Sequence, residues 1–220
     1  MQLYQPVVLP VRQCSPLMKA TSLVLLLAAS FLLSGCLTSP NPFYEAADIT
    51  QDDRMVGDYG APDADEAFLI QNDMDHKGSY LVRCYEGKHR EYWIECIGTL
   101  FKVGGKTFLD VYPNQDSSFR HIGGTPPGLV HIAHSLVFQP LHLVARVEFN
   151  EQGEVGFSFP QRNQLDALLK RDPSLRQFYN RTTFLLPMQT PDLRKLLEKH
   201  GTSDEVFPKP DKFQKPRTSK

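Results

Sequence analysis

The side chains of this 220-residue chain that most readily hold a metal or attack carbon are seven histidines and four cysteines. Three of the histidines fall close together, at His131, His134 and His142. Zinc takes three or four such ligands in tetrahedral array, and Asp110 is a carboxylate that could approach them. His131 and His134 share a face only on a helix; on a strand they point to opposite sides. The spacings that mark zinc sites, His-Glu-x-x-His and Cys-x-x-Cys, are absent. The rival reading is therefore of satisfied loop and surface histidines. No Gly-x-Ser-x-Gly, Ser-x-x-Lys or papain-like cysteine occurs to supply an activated nucleophile. Gly104-Gly105 lies between two strand-like runs rather than before a helix, so it is no phosphate cradle. No cofactor is expected.

Length and composition narrow the class. At about 100–200 residues per domain, a chain of this size makes one domain or a small pair. With 41% apolar and 22% charged residues it has enough large apolar side chains for a core, unlike a disordered sequence. A formal charge of −1 removes the electrostatic footing of a dedicated nucleic-acid binder. No nucleic acid is expected among its partners.

Leu23 to Leu33 is apolar except for Ser30. The run is shorter than the roughly 20 residues of a spanning helix and fits the apolar core of a secretory signal. Lys19 supplies the positive flank, and no acid precedes Glu45. The run closes on Leu33-Ser34-Gly35-Cys36, which resembles the lipobox of bacterial lipoproteins. The resemblance implies that Cys36 receives a diacylglyceryl group on sulfur, that residues 1–35 are a signal peptide cut before it, and that the new amino group is acylated. A thiol is the nucleophile such a thioether needs. Met18-Lys19 is the more typical start, so residues 1–17, with Pro6, Pro10 and Pro16, read as a mis-called start. Cutting before Cys36 leaves 185 residues, and the formal charge moves to −3 because Arg12 and Lys19 leave without any acid. Leu37, rather than Asp, follows the cysteine; within the resemblance this favours the periplasmic face of the outer membrane. The expected partner is membrane lipid, gripped through acylated Cys36 at about 0.8 kcal/mol per buried methylene.

Residues 36–75 hold ten acids, from Glu45 to Asp75, against the single base Arg54. They read as a lipid-anchored acidic tether with a coil reach of about 35 Å, unless Ala67 to Ile70 docks as a first strand or short helix. A β-rich globular domain is expected over 76–207. Tyr80, Val82 and Cys84 alternate with Leu81, Arg83 and Tyr85, and Tyr92, Ile94 and Cys96 resume on even positions. Thr99–Val103 and Lys106–Val111 flank Gly104-Gly105, the dipeptide of a type I′ hairpin. Pairing Val103 with Lys106 sets Phe101 opposite Phe108 and Leu100 opposite Leu109, an apolar pair for each face. Pro113 to Pro140 is a long connection, of a length that is usually functional. Leu141–Phe149 and Val155–Phe159 read as strands turned by Asn150-Glu151-Gln152-Gly153. Leu165, Leu168 and Leu169 make a helical stripe ended by Asp172-Pro173, and Thr182–Leu186 is a short strand. A last helix takes Thr190 as N-cap, Leu193, Leu196 and Leu197 as stripe and Gly201 as stop. Residues 208–220 read as a basic disordered tail. The expected fold is mainly β, a β-rich α+β arrangement: an antiparallel meander forming a curved sheet or small barrel with two C-terminal helices. In the order of its elements it is similar to lipocalin-like barrels.

Cys84 and Cys96 occupy even positions of neighbouring strands, so they face one side of a sheet. In an oxidising compartment they make either a cross-strand disulfide, worth roughly 3 kcal/mol for so short a loop, or two buried thiols that behave as small hydrophobes. The strand aromatics either fill the interior or leave part of it open to an apolar ligand. The reading is a lipid-anchored protein of the bacterial envelope with a non-catalytic binding or structural role. Its expected partners are membrane lipid and an apolar small molecule or another envelope protein. The alternative is an envelope hydrolase or metal-dependent enzyme using His131, His134 or His142.

Overall fold

At the turn between the two best-patterned strands, Gly104 and Gly105 adopt φ of 57° and 74°, positive at both central positions as a type I′ hairpin demands. The hairpin is the middle of the sheet seen in the computed structural model, which describes residues 37–59, 66–86, 92–114, 120–121, 141–160, 162–180, 183–210 and 212–214. The strands are β1 (Leu37–Ser39), β2 (Gly57–Tyr59), β3 (Glu66–Asn72), β4 (Ser79–Glu86), β5 (Tyr92–Val103), β6 (Lys106–Pro113), β7 (Arg120–His121), β8 (His142–Phe149), β9 (Val155–Ser158), β10 (Tyr179–Asn180) and β11 (Thr183–Leu185). Two α-helices, α1 (Arg162–Arg171) and α2 (Thr190–His200), come late in the chain. The strand order is β10-β11-β1-β8-β6-β5-β4-β3-β2, with β9 on β8 and β7 on β5. The ladders are antiparallel except β1 against β11. Phe101 pairs with Phe108 and Leu100 with Leu109, as the alternation requires.

The fold is mainly β, and its sheet is curved but not closed. Of the two expected forms, a curved antiparallel sheet or a small lipocalin-like barrel, the curved sheet with late helices is the one that occurs. Closure would need backbone pairing between the strands that face each other across the curl; β2 and β9 instead meet through side chains, with Tyr59 edge-on to Phe157 at 5.9 Å.

Each face of the sheet buries its own cluster because successive side chains alternate. One face carries Phe101, Phe108, Val144 and Phe184, which bury the leucine stripes of α1 and α2. The other face curls around Tyr59, Ile70, Tyr80, Leu100, Leu109 and Val147. Helix α2 begins at Thr190 itself; Gln189 is its N-cap and makes no side-chain cap bond.

The expected acidic tether is overturned. Leu37, Phe43, Met55, Tyr59, Ala67 and Ile70 are all at most 2% exposed, and β1, β2 and β3 are paired members of the sheet. The domain therefore takes in Leu37 to Asn72 as well as the residues from 76 on. The acids are local partners rather than a solvated run: Asp48 accepts from Arg194 at 2.8 and 3.0 Å and from the Glu45 N–H, and Asp52 accepts from Arg54. The tail is corrected in part. Pro210 is buried, Pro208 O accepts from Ser158 Oγ, and Gln214 bridges to Val155; residues 215–220 lie outside the described residues.

Candidate functional site

His142 opens β8, and Asp110 lies on neighbouring β6, where the register sets it opposite Val144. Even-numbered residues of both strands face the helix side, so Asp110, Tyr112 and His142 converge. His142 Nδ1 lies 2.7 Å from Asp110 Oδ1, and the Tyr112 ring stacks on the imidazole with centroids 4.6 Å apart. Asp110 is 2% exposed, and its Oδ2 accepts the Phe43 N–H at 3.0 Å. Burial pushes the Asp110 carboxyl above the usual carboxylate range, while His142 and the Phe43 N–H draw it back. Burial likewise raises the nearby Tyr44 phenol.

A buried carboxylate on Nδ1 orients an imidazole and leaves Nε2 to take a proton, the base half of a nucleophilic site. The other half does not appear among the described residues, where no hydroxyl or thiol is hydrogen-bonded to His142. Ser39 stands opposite His142 in the β1–β8 ladder, but its Oγ accepts the Asn41 N–H at 3.0 Å. What the dyad does visibly is mechanical. It pins the segment after β1 to the sheet through Phe43.

The expected histidine set is not assembled by what can be seen. His131 and His134 lie outside the described residues. Among the described residues no group of three His, Cys, Asp or Glu side chains could hold a metal. His142 meets the one carboxylate singled out in the sequence, and sequence reasoning missed Phe43, which shares that carboxylate. The signal for Asp110 was an acid breaking the apolar alternation of a core strand.

Cys84 and Cys96 do share a face, but the register is offset: Cys84 stands opposite Ile94, and Cys96 opposite Val82. They are diagonal neighbours, at a typical separation of about 7–8 Å, beyond the usual Cα range of a disulfide. Both are reduced thiols in this structure. A hydrogen bond with Cys84, followed by burial, pushes the Cys96 thiol well up, so it is no reactive thiolate.

The curl interior ends in a shallow, open hollow of about 300 Å³ lined by Phe68, Val155, Phe157, Phe159, Lys212 and Gln214. Phe68 and Phe159 are 37% and 40% exposed. Comparison with protein-family models, with curated proteins and with solved structures finds no match. The described residues offer an oriented imidazole, one buried and one half-buried thiol, and an apolar mouth.

Proposed function

We propose that this chain is a lipid-anchored protein of the bacterial envelope, acylated on Cys36, whose β-rich domain binds rather than catalyses. The observation that carries the reading is the lipobox-like Leu33-Ser34-Gly35-Cys36 after an apolar run, which makes Cys36 the first mature residue. It is compatible with the fold, since the residue that follows, Leu37, is 1% exposed and paired to Phe184. A leader cut anywhere beyond Cys36 would remove a strand from the middle of the sheet. Leu37 after the cysteine supports the periplasmic face of the outer membrane by the same resemblance.

The binding role draws support from the apolar mouth, and the Asp110–His142 dyad is explained by its grip on Phe43. The hydrolase alternative has that dyad in its favour and still needs a nucleophile within reach of Nε2. Metabolic labelling with radioactive palmitate tests the anchor. Label is expected in the wild-type chain and lost in Cys36→Ser; equal labelling of both, or of neither, removes the reading.

A further inference from the structure

Strands β9 and β1 run end to end along one edge of β8. Ser158 stands opposite Arg146 and Thr38 opposite Leu143, three residues on, or about 10 Å at the rise of a strand. Leu37 thus lies beside the point where β9 leads out to Phe159. Cys36 is one peptide unit, about 3.8 Å, before Leu37. The hollow of Phe68, Phe157 and Phe159 opens beside this junction. Leu185, paired with Thr38 and 37% exposed, stands on the same face of the sheet as Phe157, since Thr38 faces with Leu143 and Phe157 with Val147.

We infer that this apolar rim is a bilayer-docking face. Phe68, Phe159 and Leu185 enter the headgroup–acyl boundary of the membrane that holds the Cys36 acyl chains, with Lys212 at the edge toward lipid phosphates. The inference rests on the proposed anchor. It adds that no spacer separates anchor from domain, because Leu37 is already paired within the sheet, so the surface around the junction must meet the headgroups. Exposed rings beside an acyl anchor are what an interfacial contact uses. Lys209 and Lys212 belong to the same stretch of chain, and cations beside such a face are drawn to an anionic leaflet.

The test uses the mature protein extracted from membranes and reconstituted in phosphatidylethanolamine–phosphatidylglycerol vesicles with brominated acyl chains. In a Trp93→Phe background, which removes the single native tryptophan, an indole is placed by Phe159→Trp or by Met74→Trp. Met74 is 93% exposed in the turn that follows β3, at the far end of that strand from Phe68. The indole of Phe159→Trp is expected to lose about half its emission, as a ring about 5–10 Å into the boundary would. That of Met74→Trp is expected to be unchanged. Intact mass of the same samples reports the anchor separately. A lipidated Cys36 with an unquenched Phe159→Trp indole overturns the docking face alone, whether the hollow is then empty, filled by the protein's own acyl chain, or filled by a co-purifying small ligand. Equal quenching of both indoles overturns it too. Absence of lipid on Cys36 overturns the anchor reading and the docking face together.

Discussion

The two faces of the sheet are closed by different means. On the helix face, α1, α2 and the segment after β1 cover a cluster that runs from Leu37 to Phe207, and polar groups trapped there are held at some of their atoms: Asp110 by His142 and Phe43, Arg146 through Nη2 by Asp204 at 2.8 Å and Glu148 at 2.9 Å. On the other face the sheet covers itself by curling, and its edge strands meet through rings rather than ladders. A curl that stops short of closure leaves a mouth, and on the proposed reading that mouth is the surface that binds.

If that division is right, the most damaging substitutions fall on the helix side. Arg146 is fully buried, with Nε and Nη1 lacking partners among the described residues. Arg146→Ala leaves a void, while Asp204 and Glu148 can turn to solvent, and should cost roughly 3 kcal/mol in urea unfolding. Arg146→Met, which keeps the volume and removes the half-satisfied charge, should recover most of that. A Met variant as unstable as the Ala variant would mean the ion pairs, not the filling, hold this face.

A pair of glycines compares the faces at one methyl each. A Cβ on Gly201 would lie 2.6 Å from both the Leu197 carbonyl oxygen and Phe108 Cζ, whereas one on Gly98 would meet Val82 Cγ2 at 2.8 Å. Gly201→Ala meets backbone and ring, neither of which yields, and should cost about 2–3 kcal/mol; Gly98→Ala should cost about 1–2 kcal/mol, because the curl can ease outward. The reverse order in thermal or urea midpoints would deny the looser packing assigned to the curl.

The smallest effect is a matter of pH. Lys199, 2.8 Å away on α2, and Ser174 hold the Asp172 carboxyl down to about 2. With the folded value depressed, its contribution is present above the ordinary carboxylate range near 4 and is lost as pH falls toward 2. Asp110 has the opposite sign, since its folded value is raised. Its ionised form is the costly one, so stability gains as pH falls through that raised value. Asp172→Asn should therefore flatten the acid limb of a urea-midpoint profile and Asp110→Asn should steepen it. The Asp172 change should stay under about 1 kcal/mol, since the pair is open to solvent. An unchanged limb in both would separate these pairs from acid stability.

The β5–β6 hairpin was legible in the sequence residue by residue, because alternation and a Gly-Gly turn determine register together. The leucine stripes of both helices were legible for the same reason. Residues 37–75 were not. Their strands are short and separated by irregular turns, and a count of one-signed charge hides acids used as caps and as a partner for Arg194, which is 146 residues away from Asp48. The cysteine offset was hidden because alternation gives the face, and the turn alone gives the register. Whether a curved sheet closes depends on its edge strands finding each other, which no local pattern states. Of the site, Asp110 and His142 could be named beforehand, but the Phe43 contact needed the strand that the acidic composition concealed.

What Cys36 carries decides both the proposed anchor and the proposed docking face. Intact mass and terminal sequencing of the protein extracted from bacterial membranes should find Cys36 as the first residue, bearing a diacylglyceryl thioether and an N-acyl chain. A mature protein that begins elsewhere, or that begins at Cys36 with its sulfur and amine unmodified, would contradict it.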